Sequence, residues 1–261
     1  MGRGDLRVPL RALILAAGYA TRLYPLTRDV AKPLLPVGGR PLVDHILDRV
    51  REVDAVEEVH LVTNSKFADA FRAWAPEDVT VHDDGTTSED DRLGAIGDIR
   101  FVLDRIGRDG HLLVIAGDNL FDYSLRDYVD WWRAKGEASA VAAYEVQDPE
   151  LIKQYGVAEV DDDDRITSLE EKPAEPRSNL ATTATYLYHR AHVPLVDRYL
   201  EEGNTPDAPG NFIVWLHRHV PVHAYRFPGE WLDIGNREQL LEADNRLRAR
   251  AGLPERAEYA P

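Results

Sequence analysis

Near the start of the chain a run of very small residues, Ala16, Ala17, Gly18 and Ala20, is followed by Arg22 and then by Lys32. Small side chains let a backbone approach a ligand closely and turn its N–H groups toward phosphate oxygens. A guanidinium adds a planar fork for phosphate, and an ammonium on a flexible stem adds a mobile point charge. These are the parts of a polyphosphate site that suits a nucleoside triphosphate. Pro25, Pro33 and Pro36 stiffen the chain between and beyond the two cations, which lowers the ordering cost of binding. A carboxylate fit for the same work stands in Ala116-Gly117-Asp118-Asn119, at the end of an apolar run. A carboxylate at the carboxyl end of a strand, after a Gly, can hold Mg²⁺ against phosphate oxygens. Alone, Gly117-Asp118-Asn119 reads more simply as an Asx turn that ends a strand. Beside the N-terminal segment the metal reading gains the advantage.

The small residues, Thr21-Arg22-Leu23, Pro25-Leu26-Thr27 and Lys32-Pro33-Leu34-Leu35-Pro36-Val37-Gly38 occur in one order within a short stretch. In this the chain resembles the sugar-phosphate nucleotidyltransferases, also called nucleotide-diphosphate-sugar pyrophosphorylases, and is similar to their glucose-1-phosphate thymidylyltransferase catalytic domains. The resemblance implies an α/β, Rossmann-like mixed sheet, mostly parallel and flanked by helices, with a small β-rich sugar-binding part: a glycosyltransferase-A-like nucleotidyltransferase fold. It also implies Mg²⁺-dependent transfer of a nucleotidyl group from a nucleoside triphosphate to a sugar 1-phosphate, with release of pyrophosphate. Arg22, Lys32, Asp118 and Lys172 would be catalytic. Leu15, Ala16, Ala17, Gly18, Thr21, Arg22, Glu89, Gly94 and Asp118 would bind the nucleotide. Asp233, in Trp231-Leu232-Asp233-Ile234-Gly235, would join Asp118 as a metal ligand. Glu171 would accept hydrogen bonds from sugar hydroxyls and Lys172 would pair with the sugar-linked phosphate. Asn119, Gly156 and Thr183 complete the expected sugar-phosphate site.

The chain departs from the family in three places. Ala20 stands at a usual Gly, where a positive φ is wanted and a methyl is unwelcome. Ala184 stands at another, next to Thr183, which bears on pocket size. Glu89 falls where relatives that use uridine or thymidine nucleotides place a Gln. A Gln matches both the N–H and the C=O of a pyrimidine, whereas an ionised Glu only accepts. Glu89 therefore points toward guanine or another base bearing an amino group.

No Gly-Lys-Ser/Thr follows the first turn and the G-x-G-x-x-G spacing is absent, which disfavours P-loop kinases and dinucleotide-dependent dehydrogenases. The chain has no cysteine, so disulfides, thiolate chemistry and cysteine-held metals are excluded. Its formal net charge of −15 argues against nucleic acid and anionic membrane as partners. Residues 1–9 carry no charged-then-apolar signal, and no apolar run is long enough to span a bilayer. A cytoplasmic protein is expected, possible as a homo-oligomer by resemblance alone. The nine histidines show no metal-ligand spacing, and His217 and His219 are expected on a helix where they would not share a face. The acidic run 161–164 reads as a solvated turn. Readings left open are transfer to a cyclitol phosphate or to phosphocholine, and a regulatory relative that only binds nucleotide sugars.

Elements able to position these groups follow from the apolar pattern. Strands are expected at 12–16, 59–63, 79–82, 111–116 and 138–145, alternating with helices at 41–53, 66–74, 93–106 and 125–135. Paired strands at 156–160 and 165–169 and a strand at 181–188 come next. Asn236-Arg237-Glu238-Gln239 resembles a capping box that opens a terminal helix. One domain spans 1–261, with a nucleotide-binding half at about 10–135, a sugar-phosphate half at about 136–235 and the helix 236–251.

Overall fold

The computed structural model describes residues 8–261; residues 1–7, most of the stretch in which a signal was sought, lie outside the described residues. The chain runs β1 (Leu10–Leu15), β2 (Pro36–Val37), β3 (Arg40–Pro41), α1 (Leu42–Arg51), β4 (Val56–Thr63), α2 (Ala68–Trp74), β5 (Val79–Asp83), α3 (Ala95–Ile106) and β6 (His111–Ala116). It continues with β7 (Asn119–Phe121), α4 (Leu125–Ala134), β8 (Ser139–Glu145), β9 (Gly156–Val160), β10 (Ile166–Glu171) and β11 (Leu180–Tyr188). The last elements are α5 (Leu195–Glu201), α6 (Pro209–Leu216), β12 (Val222–Arg226), β13 (Trp231–Asp233) and α7 (Arg237–Arg250).

Nine strands form one mixed sheet whose path is β10-β9-β11-β6-β1-β4-β5, with β8 on β11 and β12 on β8. The block β5-β4-β1-β6 is parallel throughout. Its strands are apolar on both faces because helices cover both. Along β1, Leu10, Ala12 and Ile14 face one core, with residues of α1, α4 and α7, while Leu13 faces the other, with residues of α3, α5 and α6. That is the period of two of a strand with both sides buried. No helix among the described residues is long and apolar enough to cross a membrane.

Every strand and helix expected over a stated range is present, with ends that differ by up to three residues. The sequence reading gave no range for α5, α6, β12 or the short strands β2, β3, β7 and β13, although it expected a helix at His217. His217 and His219 do not sit on a helix as expected. His217 is the cap just after α6 and His219 lies in the turn beyond, because α6 stops at Leu216. The capping box at α7 forms in a shifted version: Asn236 Oδ1 accepts from Gln239 N at 2.8 Å, and Gln239 Oε1 accepts from Gly235 N rather than from Asn236 N, also at 2.8 Å.

α7 closes one face by packing on the turn between β2 and β3. Gly38 there has φ +65°, donates to Asp244 Oδ1 at 2.8 Å, and would place a Cβ only 2.6 Å from the Cβ of Leu247. Gly38→Ala should therefore cost about 2–4 kcal/mol, combining left-handed strain with overpacking. Urea unfolding of the variant and parent would measure it; equal midpoints would contradict this packing.

Candidate active site

β1 pairs with β4 on one side and β6 on the other, so the loop after β1 and the turn after β6 leave the carboxyl ends of neighbouring parallel strands. Crevices of open α/β sheets form at such ends. The loop after β1 is tied to its neighbours through its carbonyls: Thr63 Oγ1 donates to Ala16 O at 3.2 Å, Asn64 Nδ2 to Ala17 O at 2.8 Å and Thr27 Oγ1 to Ala20 O at 2.7 Å. Among the described residues, the N–H groups of residues 17–21 find no acceptor in the protein. N–H groups left without a protein acceptor in a loop that lines a cavity are able to donate to an anion. Ala20 has φ +49° and ψ +44°, so the loop holds the left-handed conformation that the departure from Gly put in question, at a cost of about 1–2 kcal/mol.

Asp118 lies two residues beyond the end of β6. Three-residue strands then supply its partners: β7 and β13 pair antiparallel with Asp233 opposite Asn119, which brings Asp233 beside Asp118 across more than a hundred residues of sequence. Lys32 Nζ donates to Asp118 Oδ2 at 2.7 Å and to the carbonyl of Ile234. Burial, and next the charge of Asp118, push the Asp233 carboxyl above its ordinary range, opposed by Lys32, Lys172 and Arg22. Two neighbouring carboxylates that repel one another, one of them paired with Lys32, make a hard-oxygen donor set. It matches Mg²⁺, which takes one or two carboxylates and completes its shell with water and substrate phosphate. No cluster of three or more His, Asp or Glu occurs among the described residues, so the donors do not make an all-protein cage.

Two cavities meet at this point. One, of about 480 Å³, is lined by Leu15, Ala16, Ala17, Gly18, Thr21 and Arg22, together with Lys32, Glu89, Gly94, Asp118 and Asp233. The other, of about 720 Å³, is lined by Arg22, Asp118, Asn119, Gly156, Glu171, Lys172 and Asp233. Arg22, Asp118, Asp233 and Gly235 belong to both walls. Of the residues singled out in the sequence, the structure leaves only Thr183 away from these cavities. It is buried and donates to Ala142 O at 3.0 Å, while its neighbours Thr182 and Ala184 line the second cavity, as strand alternation requires. Asn119 is turned into the fold: its side chain accepts from Trp231 Nε1 at 2.5 Å and donates to Thr185 Oγ1 at 2.9 Å, so it braces β13 and β11.

The second cavity exists because β11 changes partner. Its first residues pair with β9 and its last with β6, leaving a gap along that edge. Burial raises the Glu171 carboxyl above its usual range, with Lys172 pulling the other way. Gly156 and Gly210 make room for Glu171: a Cβ would come within 3.1 Å of its Oε2 at the first and 2.9 Å at the second. Lys172, at φ +49°, leaves β10 so that its side chain also faces the cavity.

Sequence reasoning missed four groups in the first cavity: Asp84, Arg92, Asp98 and Asp207. Arg92 pairs with Glu89 and donates to Asp207 Oδ1 at 3.2 Å, closing the rim. The loop before α6 caps α3, with Ile96 N donating to Pro206 O at 2.9 Å and Ala95 N to Asp207 O at 3.3 Å. Nothing in the spacing of 203–208 signals a contact with 94–96. Asp84 directly follows β5 and Asp98 lies in the first turn of α3; an acid at a helix start is too common to mark a site. Burial, then the charge and hydrogen bond of Asp84, push the Asp98 carboxyl up to about 8.

Folded Asp98 thus keeps a proton that the unfolded chain releases near pH 4, so its contribution to stability declines as pH rises between about 4 and 8. The slope is at most ~1.4 kcal/mol per pH unit. Asp98→Asn, which keeps the shape but does not titrate, should flatten that decline. Thermal unfolding from pH 5 to 8 tests it, and parallel pH profiles for variant and parent would refute the assignment.

Comparison with known proteins agrees with this geometry. The family model described as nucleotidyl transferase matches residues 11–250. The chain is 29% identical over 240 residues to the bifunctional protein GlmU of Methanocaldococcus jannaschii, covering 90% of this chain and 54% of that protein. It is 26% identical over 255 residues to the glucose-1-phosphate adenylyltransferase of Clostridium acetobutylicum, covering 89% and 66%. The chain thus spans between half and two thirds of the length of these relatives. A crystal structure from Bacillus anthracis, described as a glucose-1-phosphate thymidylyltransferase in complex with a sucrose, superposes with a TM-score of 0.77 at 26% identity, over 92% of this chain and 95% of the other. The loop, the paired carboxylates and the match across nearly all of its length show that this chain belongs to the nucleotidyl transferase family.

Proposed function

We propose that the protein transfers a nucleotidyl group from a nucleoside triphosphate to a sugar 1-phosphate, releasing pyrophosphate. The observation that carries this reading is the shared wall of the two cavities: Arg22, Asp118 and Asp233 stand where contents of one would touch contents of the other. In the reaction a phosphate oxygen of the acceptor forms a bond to the α-phosphorus, and the bond from that phosphorus to the bridging oxygen of pyrophosphate breaks. A phosphate monoester dianion is nucleophilic near neutral pH and loses no proton in attack, so no general base is needed. Catalysis is positioning and charge neutralisation.

The unoccupied N–H groups of residues 17–21 and the Arg22 guanidinium receive the phosphate chain. Lys172 holds the acceptor phosphate, and Glu171 accepts from sugar hydroxyls. Lys32 fixes the Asp118 carboxylate through its 2.7 Å hydrogen bond. Asp118 and Asp233 would hold Mg²⁺, which when bound supplies neutralising charge at the phosphates.

Pyrophosphate release with Mg²⁺ across five nucleoside triphosphates, crossed with sugar, cyclitol and choline phosphates, tests the reaction. Release should require both a triphosphate and a sugar 1-phosphate, and Asp118→Asn should lower kcat by about 10²–10³ in a protein that still unfolds cooperatively. Release without an acceptor, or an Asp118→Asn enzyme as fast as the parent, would sink the proposal. Gly156→Ala sets a Cβ 2.5 Å from Thr182 Oγ1 inside the acceptor cavity. It should raise KM for the sugar phosphate about tenfold or more, through roughly 1.4–3 kcal/mol of overpacking, and leave KM for the triphosphate nearly unchanged. Steady-state titration of each substrate distinguishes the two effects.

A further inference from the structure

The acids Asp84 and Asp98 stand apart from the phosphate machinery. Asp84 directly follows β5, whereas Asp118 follows β6; in the order β5-β4-β1-β6 that separates the two by three strand spacings, on the order of 14 Å, and Asp98, in the first turn of α3, shares a side-chain hydrogen bond with Asp84. A nucleotide whose phosphates lie at Arg22 and Asp118 therefore carries its nucleoside to these two residues, which line the same cavity. Both are more than nine-tenths buried, at 8% and 6% exposure. Among the described residues neither forms a salt bridge with any Lys, Arg or His, and Asp84 Oδ2 and Asp98 Oδ1 have no hydrogen-bond donor in the fold unless one carboxyl lends the other its proton. Asp84 Oδ1 is held in place by Thr86 N and Thr86 Oγ1, both at 2.7 Å. A buried acid pair without a cation is costly to the fold. Its rigid orientation and its position in a ligand cavity point to a use in binding.

We propose that Asp84 and Asp98 read the nucleobase, and that they select a base presenting two adjacent N–H donors, which is guanine. Once a single proton lies between the two carboxyls, every oxygen they have left can only accept. The guanine edge offers N1–H beside the N2 amino group, two donors for two acceptors. Uracil and thymine offer one N–H flanked by two carbonyls, which would face these oxygens acceptor to acceptor. Adenine and cytosine offer an amino group next to a ring nitrogen that also accepts. Glu89 and Asp207, the acids at the rim, both have their carboxylates engaged by Arg92. Relatives do not fix the base, since the adenylyl- and thymidylyltransferase named above differ in it.

The inference rests on the nucleotide cavity of the proposed reaction, and it is tested by binding, without acceptor, so that the two can fail separately. Calorimetric titration of the parent with GTP, ITP, ATP, CTP, UTP and dTTP, each with Mg²⁺, should give GTP at least tenfold tighter affinity than UTP or dTTP. ITP, which lacks only the 2-amino group, should be weaker than GTP by about tenfold, a comparison that needs no variant. Asp98→Asn and Asp84→Asn, each first shown to unfold cooperatively, should lose most of the GTP preference, because an amide introduces a donor. Equal affinity for GTP and ITP, or a preference for UTP or dTTP, would overturn the assignment even if transfer occurs. The same loss for all six triphosphates would overturn it too, placing the pair at the ribose or in the fold. A switch of preference in Glu89→Gln with none in the two Asp variants would give the role to Glu89. Selective GTP binding without pyrophosphate release would uphold the base reading and leave the transfer reading as the one that fails.

Discussion

The Lys32 side chain is only 9% exposed, and a charge on so buried a side chain needs oxygen partners in good geometry or it costs several kcal/mol. It finds them in the carboxylate of Asp118 and the carbonyl of Ile234, groups 86 and 202 residues away. One side chain thereby joins the loop after β1, the turn after β6 and the segment after β13. The residues that must meet for chemistry are therefore also those whose separation would strand a buried charge. Truncating Lys32 would disturb fold and site together, whereas changes at the rims of the cavities would disturb the site alone.

The rest of the architecture arranges ligands around that junction. The first cavity opens at the carboxyl ends of the neighbouring parallel strands β1 and β6, where open α/β sheets form their crevices. The acceptor side is an antiparallel extension in which β11 is shared: β8 runs along one edge, and β9 and β6 divide the other between them. A fully paired β11 would have no opening. The cavity that holds Glu171 and Lys172 is thus a property of strand pairing, and side chains only decide what it accepts.

Much of this was legible in the string of residues. The apolar runs and amphipathic stripes that mark β1, β6, α1 and α4 are local signals, and so is the Asn236 cap of α7. The loop after β1 was legible because its small residues, Arg22 and Lys32 follow one another in a short, local order. What escaped is non-local or too short to have a period. β7 and β13 are three residues each and hold together only through each other, so Asp233 could be joined to Asp118 by resemblance and not by pattern. α6 is apolar around most of its surface, including Phe212, Ile213 and Leu216, and so lacks the alternation that would announce a helix. Thr183 was placed in the acceptor pocket because a motif gives the neighbourhood of a residue and not its face; strand parity assigns that place to Thr182. Asp84 and Asp98 were invisible as a pair since they come from a strand end and a helix start with no common spacing.

The short segment from Pro206 to Gly210 touches both halves of the site. The carbonyls of Pro206 and Asp207 cap α3, Asp207 lines the nucleotide cavity, and Ala208, Pro209 and Gly210 line the acceptor cavity. A displacement of these five residues by a molecule on one side changes the volume open to a molecule on the other. The two binding equilibria then share a free-energy term, and such a term acts equally in both directions. By that reciprocity each molecule would change the other's affinity by the same factor, and the order in which the two bind would leave that factor unchanged.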